Sequence, residues 1–529
     1  MNSELSNAPD CPLPNWLMLI VFDHLDTPSL LSCKQVCRLF NELISASARF
    51  VYKIELFAEG LQDCSSNSSL SVDRLALLQK YQAGWKKLSF STFYACHPFL
   101  SGRSTEGYRW GFSGGVLFQA VFREDALAFS CVQMPSKIRG IPEQRWDLDI
   151  TCLTSAAQDW VHDPSQGLLV LVELVPARCI VHTLDLATGH SHPLSCGQQL
   201  VHDPLGQTDR YSVSTRIFGH RVGVLLQDIS SRRVDLLIWD WTTGTRELFV
   251  RSPGKPKYPI ILDFAFITED LLLLTNLVTQ RTAQIQVISC TKLKKAFGYT
   301  QLKGMDFLLG LQIPPSFHGI SEFFIRMDPE LNWSAPRRNT VPFCVTQADR
   351  LFMFTLRFIS SQSQDEDEDD DKDDYTLLFV PLSTILKQLK RAGSQNQFKV
   401  PWNEWGPSGT RMRGLYSHQT WQRTVYGMKY LEIRRTEALG EEIEILDFNQ
   451  YAANRDVPAS EGYVWDVLEE ESFDTLPGTV KNEVVTSLPV RRATAYLPPH
   501  KRPLTHAVIG EDGILLGSYY EKMWYYMYL

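Results

Sequence analysis

Two regimes of hydrophobic spacing divide the chain. Up to Trp85 the apolar residues recur three or four apart, the period of a helix; from Lys86 onward they come in short β-branched and aromatic runs cut by Gly, Pro, Asp and Ser, the pattern of many antiparallel strands. In the first regime Pro14 suits the first turn of a helix, where its missing N–H costs nothing, and that helix is expected to run to about Leu25. Asp26 and Thr27 stop it. Thr27 as N-cap and Pro28 as first helical residue open a second helix carrying Leu30, Leu31 and Val36, and a third carries Phe40, Leu43 and Ile44. Trp16 to Phe22 is a seven-residue run with no polar side chain, so the first helix is apolar on every face. A module of under about fifty residues cannot bury all of that surface. Either the rest of the chain covers it or another protein does.

Two further helices follow. Ile54, Phe57, Ala58 and Leu61 keep helical spacing, with Gly60 near the C-terminal stop, and beyond a Ser/Asn-rich loop at Cys64 to Ser69 the residues Val72, Leu75, Leu78, Tyr81 and Trp85 mark a helix over 71–85. In the second regime three hairpins stand out: 115–118 with 126–132, 168–172 with 179–186, and 223–226 with 234–241. Val181 to Gly189 aligns with Leu236 to Gly244, 55 residues later, and Ile445 to Asn449 is a weaker third copy. Each full copy ends Asp-apolar-x-x-Gly, a strand closing in a tight turn in which Asp or Thr binds the backbone and Gly supplies a positive φ. Repeated four-stranded units of roughly 40 to 55 residues are the sequence sign of a β-propeller. Strand clusters near 110–150, 166–190, 212–249, 258–290, 305–380, 412–449 and 485–518 predict about seven blades, and eight would also suit the length. The expected fold is mainly β with a helical N-terminus: 1–12 disordered, 13–50 a three-helix module, 51–85 a helical linker, and 86–529 an irregular propeller with a disordered acidic insertion at 361–374.

Leu13-Pro14, then Leu17, Leu19, Val21 and Leu25, then Asp26 to Leu31 and finally Val36 to Phe40, resemble in order and without gaps the F-box, a small helical module that docks on the Skp adaptor of cullin-based ubiquitin ligases. The resemblance implies adaptor-facing positions at Leu13, Pro14, Leu17, Val21, Leu25, Leu30, Leu31, Val36 and Phe40. Trp16 and Ile20 depart from it, since F-boxes usually carry polar residues there. They are expected to face the helices of residues 54–85. Tyr52 to Phe57, Arg74-Leu75, Tyr81 to Ala83 and Trp85, together with 135–140, 402–407, 447–449 and 507–512, further resemble segments of fungal F-box proteins of the basidiomycete type.

Charge adds little until it is located. The net charge is −8, yet Asp365 to Asp374 alone holds nine acids and one lysine, which leaves 51 acids against 51 bases elsewhere. No global basic excess points to nucleic acid. The acidic run lies between two strand-like segments and reads as a hairpin insertion too charged to pack, or as a tether for a basic substrate. Eleven cysteines without a Cys-x-x-Cys pair suit reduced thiols in cytoplasm or nucleus, and no segment approaches the ~20 apolar residues of a membrane span. Cys33 and Cys37 read as small buried hydrophobes.

Catalytic patterns are poor. Gly111 to Gly115 matches Gly-x-Ser-x-Gly, but a nucleophile elbow needs a helix after the serine and strand-like residues follow. His182, His190 and His192 have no companion cluster at zinc spacing. No phosphate loop or His-Glu-x-x-His occurs. No cofactor, metal or catalytic residue is therefore expected, and the chain reads as a non-enzyme. Trp402, Trp405, Trp421, Tyr426 and Tyr430 cluster in a Pro/Gly-rich region, either as blade packing or as recognition anchors. The resulting expectation is a substrate receptor of a Skp-cullin-F-box ligase, its propeller binding a protein. Two alternatives are an adaptor-bound scaffold without a degradation role and a propeller enzyme or small-ligand module with a degenerate F-box. A polar central channel with converging carboxylates would favour the last.

Overall fold

The computed structural model describes residues 13–64, 70–90, 92–96, 110–123, 126–197, 199–204, 211–255, 258–279, 282–293, 300–301, 307–314, 319–330, 342–358, 374–395, 398–415, 425–436, 440–453, 465–468, 471–473, 484–497, 504–518 and 523–529. The two stretches expected to be disordered, 1–12 and the acidic insertion up to Asp373, lie outside them.

Five helices open the described chain: α1 (Asn15–Asp23), α2 (Thr27–Val36), α3 (Arg38–Ala46), α4 (Ala48–Ala58) and α5 (Ser71–Lys87). Pro14 precedes α1 rather than joining it, in an extended conformation with ψ 144°, and its carbonyl accepts from the amides of Leu17 and Met18. The α2 cap is Asp26, whose side chain accepts from Ser29 N at 2.9 Å, so Thr27 becomes the first helical residue. The expected break after residue 50 falls inside α4. That helix contributes Phe50, fully packed, and Ile54 to the core it shares with Met18, Phe22, Leu30 and Ile44. Gly60, at φ +67°, ends the helical course. Leu61, expected on the same helix, instead starts a three-residue strand, Leu61–Asp63, paired antiparallel with Phe343–Val345.

The rest is a seven-bladed β-propeller. In each blade the first strand is innermost and the second and third step outward from it; in blade 6 Trp465–Leu468 adds an extra edge outside Val490–Tyr496. Blade 1 runs from Trp110–Ser113 to Gln144–Asp149, blade 2 from Ala157–Asp163 to Leu200–His202, and blade 3 from Tyr211–Phe218 to Thr245–Ser252. Blade 4 spans Ile260–Phe266 to Phe307–Gln312, blade 5 Ile320–Arg326 to Arg411–Leu415, and blade 6 Val425–Tyr426 to Val490–Tyr496. Blade 7 takes His506–Ile509, Gly513–Ser518 and Met523–Tyr528 from the C-terminus and its outer strand, Thr92–Cys96, from ahead of blade 1. Both ends of the propeller thus meet in one sheet, and the ring closes without a free inner edge.

The repeat legible in the sequence is the third strand and its turn. Asp185 accepts from Thr188 N at 2.9 Å and Asp240 from Thr242 N at 2.9 Å, while Gly189 and Gly244 sit at φ +72° and +74°. Asp447 occupies the same place in blade 6. Three of the expected strand clusters were cut wrongly, at 305, 412 and 485. Each swept the last strand of one blade into the next, because in blades 4, 5 and 6 the outer strand lies far along the chain from the third and close to the blade that follows. In blade 5 the chain between the two holds the helices Leu382–Gln395 and Trp402–Gly409.

Candidate functional site

The helical module packs one side of α1 inward and leaves the other bare. Met18 and Phe22 are buried, with Phe22 edge-on to Phe40 at 5.2 Å and to Phe50 at 6.2 Å. On the opposite side Leu13, Trp16 and Ile20 stand exposed at three- and four-residue spacing with Val21 beside them, joined by Leu31 and Val36 of α2. Trp16 is 63% exposed and Ile20 49%, so neither is covered by α4 or α5 as expected. Helix α5 and the side of α4 that carries Tyr52 and Leu56 face the propeller instead, while Phe50 and Ile54 of α4 pack on the buried side of α1. Of the nine positions carried over by resemblance, Leu13, Pro14, Val21, Leu31 and Val36 are exposed, and Leu17, Leu25 and Phe40 are half-buried. Leu30 is the exception: at 0% exposure it belongs to the module's own core and offers no surface.

The module is bound firmly to one face of the propeller. Within a blade, the connections from first to second and from third to fourth strand lie on one face, and the remaining connections lie on the other. Phe343–Val345 (blade 5, first to second), Asn449 (blade 6, after the third) and Leu529 (blade 7, after the third) all belong to the first face, and all hold the linker. Asn449 Nδ2 donates to Ala58 O at 2.8 Å, and Tyr52 OH donates to Pro342 O at 3.0 Å. Trp465 Nε1 donates to Trp85 O at 3.1 Å. Leu78, Tyr81 and Trp85 of α5 share one core with Leu431, Ile443, Leu516 and Leu529. Just behind Tyr81 lies a buried ion-pair cluster in which Arg139 Nε reaches Asp512 at 2.5 Å and its Nη1 reaches Glu511 at 2.6 Å. The segments 135–140, 447–449 and 507–512 therefore serve this junction, and 402–407 serves blade packing through Trp405 Nε1, which donates to Gln312 O at 2.8 Å.

Sequence reasoning missed a second feature, a channel of about 730 Å³ at the propeller centre walled by the first strands of blades 1 to 6. Four carboxylates line it, Asp159, Asp263, Asp328 and Glu330, with Arg216 and Arg326 among them. Arg216 is the hub. It contacts Asp263 at 3.3 Å and Glu330 at 2.9 Å, and donates to Ile325 O at 2.7 Å. Asp263 also accepts from Phe264 N and Ile325 N, each at 2.8 Å. These residues are scattered over four blades, so no linear motif could announce them.

The remaining candidates fall into structural roles. Ser113 ends a strand and is followed by Gly114 and Gly115 at positive φ and then by strand Val116–Arg123, a hairpin rather than an elbow. His182 pairs with Glu173 at 3.0 Å in the core of blade 2, and His192 bonds Gln166 O at 3.2 Å. Trp405, Tyr426 and Tyr430 are buried, which makes them packing residues, and Trp421 lies outside the described residues. Among the described residues no three His, Cys, Asp or Glu side chains converge as a metal site.

A family model described as F-box-like matches residues 11–53. No relative was found among curated proteins. Among solved structures the chain is similar to an uncharacterized protein from Listeria monocytogenes, with 8% identity over 79% of this chain and 92% of that one and a TM-score of 0.36. It is also similar to the WD40 domain of Toxoplasma gondii coronin, with 10% identity over 78% and 88% and a TM-score of 0.33. Scores of this size carry no argument, and the blade count stands on the strand pairing alone.

Proposed function

We propose that this chain, an F-box-like module joined to a seven-bladed propeller, is the substrate-recognition subunit of a Skp-cullin-F-box ubiquitin ligase. The observation that carries the reading is the bare apolar face of α1 and α2. Leu13, Trp16, Ile20, Val21, Leu31 and Val36 remain exposed although the linker helices and the propeller had the opportunity to cover them. A Skp-type adaptor is the proposed occupant, and through it a cullin. The linker fixes the angle between adaptor and propeller, and the propeller holds a protein to be ubiquitinated in cytoplasm or nucleus. The protein itself performs no chemistry. It raises the effective concentration of a substrate lysine near the charged conjugating enzyme.

Pull-down tests the reading. Leu17→Ala combined with Val21→Ala is expected to weaken adaptor binding by several kcal/mol, from ~1.5 to 3 for each apolar anchor, with the propeller still folded. Retention of the adaptor by the double variant at wild-type level would refute it. The polar channel favours a second reading, a small-ligand propeller carrying the same helical module. Turnover of a small molecule by the purified protein without adaptor or cullin would select that one.

A further inference from the structure

We infer that Cys64 and Cys344 form a redox clasp, which a peroxide closes into a disulfide that ties the linker covalently to blade 5. The inference goes beyond the receptor reading above and does not depend on it. Three observations carry it.

The first is placement. Leu61–Asp63, which leads the chain away from α4, is held to Phe343–Val345 of blade 5 by three residue pairs, with Gln62 opposite Cys344. Cys64 extends this ladder by donating its N–H to Pro342 O at 3.2 Å, so it stands opposite Pro342. Side chains two apart on a strand share a face, which puts Cys64 beside Gln62 and diagonally across from Cys344. Gln62 Nε2 meets Cys344 Sγ at 3.6 Å, so Cys344 uses that same face.

The second is contact. Both cysteines are free, and the Cys64 thiol hydrogen-bonds Cys344 Sγ. Diagonal neighbours lie ~7 to 8 Å apart at Cα and disulfides need ~4.4 to 6.8 Å, so closure requires a shift of about an ångström. Cys64 is the partner placed to make it. It follows the last paired residue of its strand and is half-buried, whereas Cys344 is buried at the middle of its own.

The third is reactivity. The hydrogen bond from Cys64 draws the Cys344 pKa below the ordinary thiol value, more than offsetting its burial, and raises that of Cys64 itself. The pair thus releases its first proton more easily than a lone buried thiol and shares the second. The resulting thiolate attacks one oxygen of hydrogen peroxide; the O–O bond breaks, leaving a sulfenic acid and a hydroxide that is protonated to water. The second sulfur then attacks the first, the S–O bond breaks, and the departing hydroxide takes the remaining thiol proton. Two thiols have lost two electrons and two protons, and one peroxide has become two waters.

The test uses the full chain. Treatment with hydrogen peroxide, alkylation with iodoacetamide and digestion without reductant are expected to give, by mass spectrometry, the Cys64 and Cys344 peptides joined, and dithiothreitol should release both. The oxidised protein should melt ~3 °C or more above the reduced one, because the bond closes a long loop, and fall back on reduction. Cys64→Ser, a change at the half-buried partner, should melt with the reduced wild type and show no rise with peroxide. The joined peptide is read on the wild-type protein, so the outcome does not hang on whether a variant folds. Alkylation of both cysteines after peroxide, either one joined to a different cysteine, or a joined pair that melts with the reduced protein would overturn the proposal.

Discussion

Two buried arginines at the junction between helices and propeller illustrate how differently the same side chain can be held. Arg139 is paired with Glu511 and Asp512 at 2.6 and 2.5 Å. Burial disfavours its charge, but the two carboxylates more than offset that and raise its pKa. Arg350 is fully buried, its Nε and Nη2 meet no partner among the described residues, and burial pushes its pKa down. Removing one member of a buried pair strands the other charges, whereas replacing an unpaired buried cation with an apolar chain of similar length removes a cost. Arg139→Met is therefore expected to destabilise the protein by ~3 to 5 kcal/mol, and Arg350→Met to leave stability within ~1 kcal/mol or raise it. Urea unfolding of the two variants side by side checks both, and a larger loss for Arg350→Met would reverse the assignment. Neither partnership was legible in the chain. Arg139 and Glu511 lie 372 residues apart, and nothing in their local sequence distinguishes Arg139 from a surface arginine.

At the scale of the element, the propeller turns carry a pH signature. Asp228 closes the second strand of blade 3 and accepts from Ser230 N at 2.9 Å, Ser231 N at 3.1 Å and Ser230 Oγ at 2.6 Å. Burial would raise its pKa, yet these donors win and hold it at about 2 against an ordinary 3.8. Asp240 and Asp270 are lowered in the same way, burial again being outweighed by Thr and Ser donors. A carboxylate with a depressed folded pKa contributes stability above its unfolded value, and that contribution drains away as pH falls through the folded one. For Asp228 the window lies between about pH 4 and pH 2. The urea midpoint of wild type should fall across that window, and the gap between wild type and Asp228→Asn should narrow as it does. A gap of constant size at pH 5 and pH 2.5 would show that the carboxylate is not what the turn depends on. Such turns were the most legible part of the fold, because Asp, Thr and Gly at fixed offsets act locally. Helix α1 was less so: its seven apolar residues announced two covered faces, but which face meets the chain's own core depends on α2, α3 and α4 together.

For the whole molecule the decisive contact joins the two ends of the propeller. Thr92–Cys96 completes blade 7 by pairing with Met523–Tyr528 from Thr92↔Tyr528 to Cys96↔Trp524, and α5 ends only a few residues before it at Lys87. Ring closure and attachment of the helical module are thus made by adjacent stretches of one chain. Their separate contributions can be read from fragments. A chain starting at residue 89 keeps the closing strand but loses α5, and with it the burial of Leu78, Tyr81 and Trp85 against blades 6 and 7. At ~1.5 to 3 kcal/mol for each buried side chain it should fold with a stability lower by roughly 5 kcal/mol or more than a chain starting at residue 48. A chain starting at residue 110 leaves Met523–Tyr528 as an unpaired edge and the ring open, and should lose its cooperative melting transition and self-associate. Circular dichroism melts and light scattering on the three fragments make the comparison. Equal melting of the chains from 89 and 110 would mean that the ring closes without its N-terminal strand. Equal melting of the chains from 48 and 89 would mean that α5 rests on the propeller without stabilising it, so that the buried Leu78, Tyr81 and Trp85 would not be what holds the helical module at its angle to the blades.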